Sequence, residues 1–209
     1  MPLYRIAENQ IVAVERTTYE ALGIRERQDL QLMFKNNIEV IAPGVLVVAE
    51  EFGDWDDSRR RIDLLGVDRN ANLVVVELKR TEDGGHMELQ ALRYAAMISS
   101  LTFSKLEAIY STYLAKNQID LDARDSLLQF LEWEEVDEDQ FAQEVKIVLA
   151  SSEFSKELTT TVMWLNEFGL DVRCVRMHPY TADNQTYLDI QTVIPIPEAE
   201  DYQIRIREK

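Results

Sequence analysis

Residues Arg59 to Arg80 read RRRIDLLGVDRNANLVVVELKR. Two apolar runs flank the turn-rich string Asp68-Arg69-Asn70-Ala71-Asn72, so the stretch reads as an antiparallel hairpin. A register that sets Asp63 against Glu77 also pairs Leu65 with Val75 and Val67 with Leu73. Side chains alternate along a strand, so Asp63, Glu77 and Lys79 then share one face. Ile62, Leu64, Val74, Val76 and Leu78 fill the other. A two-residue Asn-Ala turn would flip that parity. Away from the ends both faces are apolar, the pattern of central strands covered on two sides. Two carboxylates and an ammonium therefore gather at the open end of a buried hairpin.

Neighbouring carboxylates repel, and burial raises the cost. One reading is an ion pair of Lys79 with Glu77 or Asp63 where a strand meets water, the commoner arrangement for an isolated ExK. The other is a divalent-cation site. Mg²⁺ takes a few carboxylate oxygens together with waters and phosphate oxygens. Lys79 beside it would orient the attacking water and offset charge on the phosphate. Upstream, Glu26 in RERQDLQ is a third carboxylate, by itself an ordinary exposed helix residue. Downstream, Gln90 and Tyr94 stand at i and i+4 on one helical face. Alone they read as a core tyrosine and a neighbour on the rim.

Outward from the hairpin the chain has a mixed α/β pattern. Ile11–Val14 reads as a short strand, Ile24–Asn36 as a helix and Val45–Ala49 as a strand. Asp83, Gly84 and Gly85 make a turn before a helix over Met87–Leu101. Helices follow within Lys105–Lys116 and Ala123–Trp133. The acidic run from Glu132 to Glu144 reads as a solvated linker or helix face. Val145–Ala150, Ser155–Phe168 and Val172–Met177 form strand, helix and strand, which predicts a parallel pair. Tyr187–Ile194 is a last strand. Met163, Trp164 and Leu165 read as core, His178 as a strand-end residue, and Trp55 as packing in its loop, with base stacking the alternative.

The chain has 209 residues, 46% of them hydrophobic, enough for one sizeable core, and a single domain over 1–209 is expected. Its parts are core motifs over about 24–103, a helical segment over about 105–140 and a strand–helix–strand–strand segment over 145–195. No apolar run approaches the roughly 20 residues of a membrane helix. Met1 to Gln10 lacks a signal-peptide pattern, and Cys174 is the single cysteine, which points to a reducing cytoplasm. With two histidines, Cys/His zinc chemistry is excluded. A net charge of −16 opposes indiscriminate coating of nucleic acid. Arg59, Arg60, Arg61, Lys79, Arg80 and Arg93 nonetheless collect around the hairpin. They serve either to hold phosphates or to balance the nearby Asp54-Trp55-Asp56-Asp57 acids.

The ordered set is more specific than its parts. Glu26, Asp63 in RRIDLLG, Glu77 and Lys79 in VVVELKR, then Gln90 and Tyr94 in LQALRY resemble the PD-(D/E)xK nuclease superfamily. Within it they are most similar to the RecB-like branch with its QxxxY motif, and there to the nuclease domain of NucS-like endonucleases. The likeness runs from Arg25 to Phe103. It implies a restriction-endonuclease-like αβββαβ core with a mixed central sheet flanked by helices, extended here by a C-terminal α/β segment. It also implies metal-dependent hydrolysis of DNA phosphodiester bonds with Mg²⁺ (or Mn²⁺), in repair, restriction or defence. Asp63 and Glu77 would be metal ligands, Lys79 the catalytic lysine and Glu26 a further acidic contributor to catalysis and metal binding. Gln90 and Tyr94 would order the site or contact DNA, with Arg60, Arg61 and Arg80 on flanking phosphates. The proline of the superfamily's name is missing, since Arg61 and Ile62 precede Asp63. Only about two dozen residues precede Glu26, so the NucS preference for branched or mismatched DNA is not carried over. DNA is the expected partner, and a homodimer suits cutting of both strands. The alternative is a non-catalytic module that keeps the fold and binds nucleic acid or protein.

Overall fold

The computed structural model of the chain describes residues 2–53, 61–80 and 86–196. Trp55 and its acidic neighbours, Arg59, Arg60, the Asp83–Gly85 turn and the tail beyond Ile196 lie outside the described residues. Strands β1 (Tyr4–Ala7) and β2 (Gln10–Ala13) form a separate two-stranded sheet, followed by the short β3 (Glu15–Arg16). A π-helical turn over Glu26–Leu30 runs into α1 (Gln31–Asn36). Next come β4 (Val45–Phe52), β5 (Ile62–Asp68), β6 (Leu73–Lys79), α2 (Met87–Ile98), α3 (Phe103–Lys116) and α4 (Ala123–Leu131). The described residues continue with β7 (Val145–Ser151), α5 (Lys156–Glu167), β8 (Asp171–Ala182) and β9 (Gln185–Ile194). Side chains of Thr102, Asp122 and Ser155 cap the starts of α3, α4 and α5 by accepting from backbone N–H groups. No helix among the described residues is long and apolar enough to cross a membrane.

The main sheet has the order β3-β8-β7-β6-β5-β4, with β9 on the other edge of β8. Helix, three-stranded meander, helix and strand follow one another as the expected αβββαβ core. The meander β4–β5–β6 is antiparallel, and β6–β7 and β7–β8 are parallel. β5 and β6 pair through Leu64–Val76, Leu65–Val75, Gly66–Val74 and Val67–Leu73, which is the expected register. At the turn, Asp68 Oδ1 accepts the N–H groups of Asn70 and Asn72 at 2.8 and 2.9 Å, and this fixes the parity. Gly66 is required by a close approach: an added Cβ would lie 2.5 Å from Val45 Cγ1 and 2.9 Å from the Leu46 carbonyl oxygen. Beside it β4 shifts register between Val47 and Ala49, then continues through Glu50–Leu64 to Phe52–Ile62.

Both faces of the hairpin are buried. On one, α2 to α5 bring Ala91, Tyr94, Phe103, Leu106, Leu127, Leu158 and Val162 against Leu65, Val67, Leu73 and Val75. On the other, Tyr19, Leu30, Phe34 and Ile41 cover Leu64, Val74, Val76 and Leu78. Three expectations are corrected. Ile62 packs with the first cluster, because β5 is laddered to β6 only from Leu64 onward and one neighbour alone sets its alternation. Trp164 is 56% exposed and lies against the ring of Phe168, while Met163 is exposed as well. Leu158 and Val162, at i and i+4, form the buried face of α5 instead. His178 sits inside β8, which is longer than its Val172–Met177 segment, and is buried.

Candidate active site

The open end of the hairpin meets the first turn of the helix before α1 and one face of α2. Glu26 opens that turn and reaches β6: its Oε1 lies 3.2 Å from Lys79 Nζ, and its Oε2 accepts the Arg80 N–H at 3.0 Å. Asp63 sits at the second position of β5, and its Oδ2 accepts the Leu78 N–H at 2.8 Å. From α2, Gln90 Nε2 donates to Glu77 Oε2 at 3.0 Å and lies 3.2 Å from the Tyr94 hydroxyl. From α1, Gln31 Nε2 donates to the Asp63 carbonyl at 3.1 Å. Asp63, Glu77, Lys79, Glu26, Gln90 and Tyr94 are thus brought into one cluster. Arg61 and Arg80 lie on its rim, with Arg61 Nη1 on the Glu51 carbonyl and Arg80 Nη1 on that of Ile24.

The ion pair of Lys79 is with Glu26, neither of the two partners its own hairpin offered. Among the described residues that one ammonium serves three acids, Glu26, Asp63 and Glu77. Glu77 is fully buried, and its Oε1 has no hydrogen-bond partner. Burial, then the charge of Asp63, push its carboxyl up to about 9. Burial also lifts Asp63 to about 6, against the Leu78 N–H and the Lys79 charge. Burial draws Lys79 down, but Glu26, Asp63 and Glu77 outweigh it and hold the ammonium above its ordinary value. The cluster was expected at one end of a buried hairpin, with an ion pair where a strand meets water as the alternative. α2 covers it through Gln90 and Tyr94, and the Lys79 and Glu26 side chains on its rim are 26% and 28% exposed.

Sequence reasoning missed Glu51. In the β4–β5 register it falls between Glu50–Leu64 and Phe52–Ile62, opposite Asp63. Its charge helps to raise Asp63, and its Oε1 is buried without a hydrogen-bond partner, 3.4 Å from Arg27 Nε. β4 had to be followed past Ala49, through a register shift, for that neighbour to show. Among the described residues, no group of three His, Cys, Asp or Glu side chains stands ready to hold a metal ion. A surface hollow of about 510 Å³ along Glu132–Gln140 lies elsewhere, lined chiefly by the solvated acidic run.

No protein-family profile and no curated protein matches the chain. Among solved structures it is similar to a repair endonuclease from Pyrococcus abyssi, with 20% identity and a TM-score of 0.40 over 70% of this chain and 45% of that one. It is also similar to EndoMS in a complex with double-stranded DNA, with 19% identity and a TM-score of 0.39 over 82% and 49% of the two chains. EndoMS in its apo form gives 17% and 0.39 over 79% and 49%. The chain spans about half the length of these structures.

Proposed function

We propose that the chain is a metal-dependent deoxyribonuclease that hydrolyses DNA phosphodiester bonds with water. The observation that carries this is the buried Glu77 Oε1, unpartnered beside Asp63 while the nearest ammonium is committed to Glu26. Among the described residues Glu26, Asp63 and Glu77 share the Lys79 ammonium, and Glu77 is ionised at neutral pH only with a further positive charge beside it. A divalent cation supplies one. Mg²⁺ suits the donor set, because it is held by one or two carboxylates plus waters and phosphate oxygens and needs no protein cage; Mn²⁺ fits the same oxygens. Asp63 and Glu77 would hold it. When bound, such an ion polarises the phosphoryl oxygen and lowers the pKa of a water.

The chain's own residues do the rest. Lys79, steadied by Glu26 at 3.2 Å, would orient the attacking water and offset charge as the phosphate oxygen bonds rearrange. Gln90 holds Glu77 Oε2 in place, with Tyr94 behind it. Arg61 and Arg80 would hold flanking phosphates, contacts that fix position without reading sequence. The test is cleavage of branched, single-stranded and duplex DNA with and without Mg²⁺. Metal-dependent cutting that disappears in Asp63→Ala/Glu77→Ala is expected. Cutting that survives the double substitution, or none with any metal, rejects the proposal. The enclosure of Glu77 favours a second reading, a module that binds without turnover. DNA binding that persists in EDTA with no cleavage in Mg²⁺ would select it.

A further inference from the structure

A second charge imbalance, of opposite sign, lies along the same end of the sheet. Glu153, just beyond β7, accepts Arg16 Nη1 through Oε1 at 3.0 Å and lies 3.1 Å from Arg176 Nε through Oε2. His178 Nε2 is also 3.0 Å from Oε1. Burial and the Arg16 charge hold that imidazole below its ordinary pKa, so it adds no charge at neutral pH. Among the described residues two guanidiniums thus share the Glu153 carboxylate, in a chain of net charge −16. An arginine has five N–H donors, and Glu153 engages one nitrogen of each. The Arg16 and Arg176 side chains remain 40% and 28% exposed.

The topology places this pair beside the candidate active site. Lys79 on β6 is level with Ser151 on β7, and Ser151 with Arg176 on β8. Two inter-strand spacings separate Lys79 from Arg176, about 10 Å, or about three nucleotide rises of DNA. β7 is paired to β8 as far as Arg176, and β3 is paired to it at Tyr180 and Thr181. Since β9 occupies the opposite edge there, β3 continues the line of β7 and brings Arg16 to Glu153. Ser152 Oγ donates to the Arg80 carbonyl at 3.1 Å, which ties this corner to the end of β6.

We propose that Arg16 and Arg176, oriented by Glu153, form a docking point for a DNA backbone phosphate. The identity of the ligand rests on the nuclease reading above. The contact extends the rim begun by Arg61 and Arg80 and carries the strand away from the acid cluster. It positions DNA and reads no sequence.

The test measures binding of fluorescently labelled duplex and single-stranded DNA to the full chain in EDTA over a range of salt. Arg16→Gln is expected to weaken binding and to lower the slope of log K against log salt by about 0.9 on duplex and about 0.7 on single strands. Arg16→Lys should keep the slope. Arg176→Gln should act likewise. If it fails to fold, the two Arg16 variants, on the short β3, carry the test. Unchanged affinity and slope in Arg16→Gln, with an unchanged melting temperature, would leave an ion-pair network only and overturn the proposal, as would an unsubstituted chain that binds no DNA. A chain that binds in an Arg16-dependent way yet never cuts in Mg²⁺ would overturn the nuclease reading and leave the docking point standing.

Discussion

The hairpin of β5 and β6 carries a buried aspartate at each end, and the two are treated differently. Asp68 and Asp63 are equally exposed, at 8% each. Asp68 takes two backbone N–H groups on Oδ1 and the Lys146 ammonium on Oδ2 at 2.7 Å. Asp63 takes one backbone N–H and faces Glu77, whose own Oε1 has no partner. Depth of burial is the same, so it does not explain the difference. The turn end is a finished structural device. At the open end, among the described residues, the one ammonium of Lys79 faces three acids, Glu26, Asp63 and Glu77.

Substitution separates the two ends. The largest effect expected is on cleavage: Asp63→Asn/Glu77→Gln should lower the Mg²⁺-dependent rate by on the order of 10³-fold, read in a nicking assay. In chemical denaturation without metal, the same variant should be no less stable than the parent, since neutral isosteres relieve an unpaired buried pair. Asp68→Ala should do the reverse. It strands Lys146 and two N–H groups at a cost of about 3 kcal/mol, with the cluster at the other end unaffected. If the two variants lose stability alike, the open end is structural too.

A smaller effect is expected with pH. Glu77 and Asp63 bind protons more tightly folded than unfolded. Their contribution is therefore full below the unfolded carboxyl values and is lost as pH rises through about 6 for Asp63 and about 9 for Glu77. Melting curves of the metal-free protein from pH 6 to 9.5 should fall relative to Glu77→Gln, by about 2–4 °C for each kcal/mol. Parallel curves would show that Glu77 is not protonated in the fold.

Much of this end was legible because it follows from short periods. Alternation placed Asp63, Glu77 and Lys79 together, and i, i+4 spacing placed Gln90 beside Tyr94. Glu26 also arrived, but as the partner of Lys79 and the Arg80 backbone, a choice that three-dimensional distance makes and spacing does not. Glu51 needed the β4 register across an irregularity. The Glu153 corner was not legible at all: it joins β3, β7 and β8, 137 residues apart in the case of Arg16 and Glu153. Strand β3, of two residues, is too short for a periodic signal. The exposed Met163 and Trp164 show that an apolar run on a helix is no guide to its buried face.

On the proposed function, Asp63 and Glu77 await a divalent cation. Thermal melting of the DNA-free chain against rising Mn²⁺ or Mg²⁺ tests it most directly. A saturable rise is predicted, worth about 2.7 kcal/mol at a hundred times Kd, and absent from Asp63→Asn/Glu77→Gln. No rise in the parent chain, or an equal rise in the double variant, would contradict it.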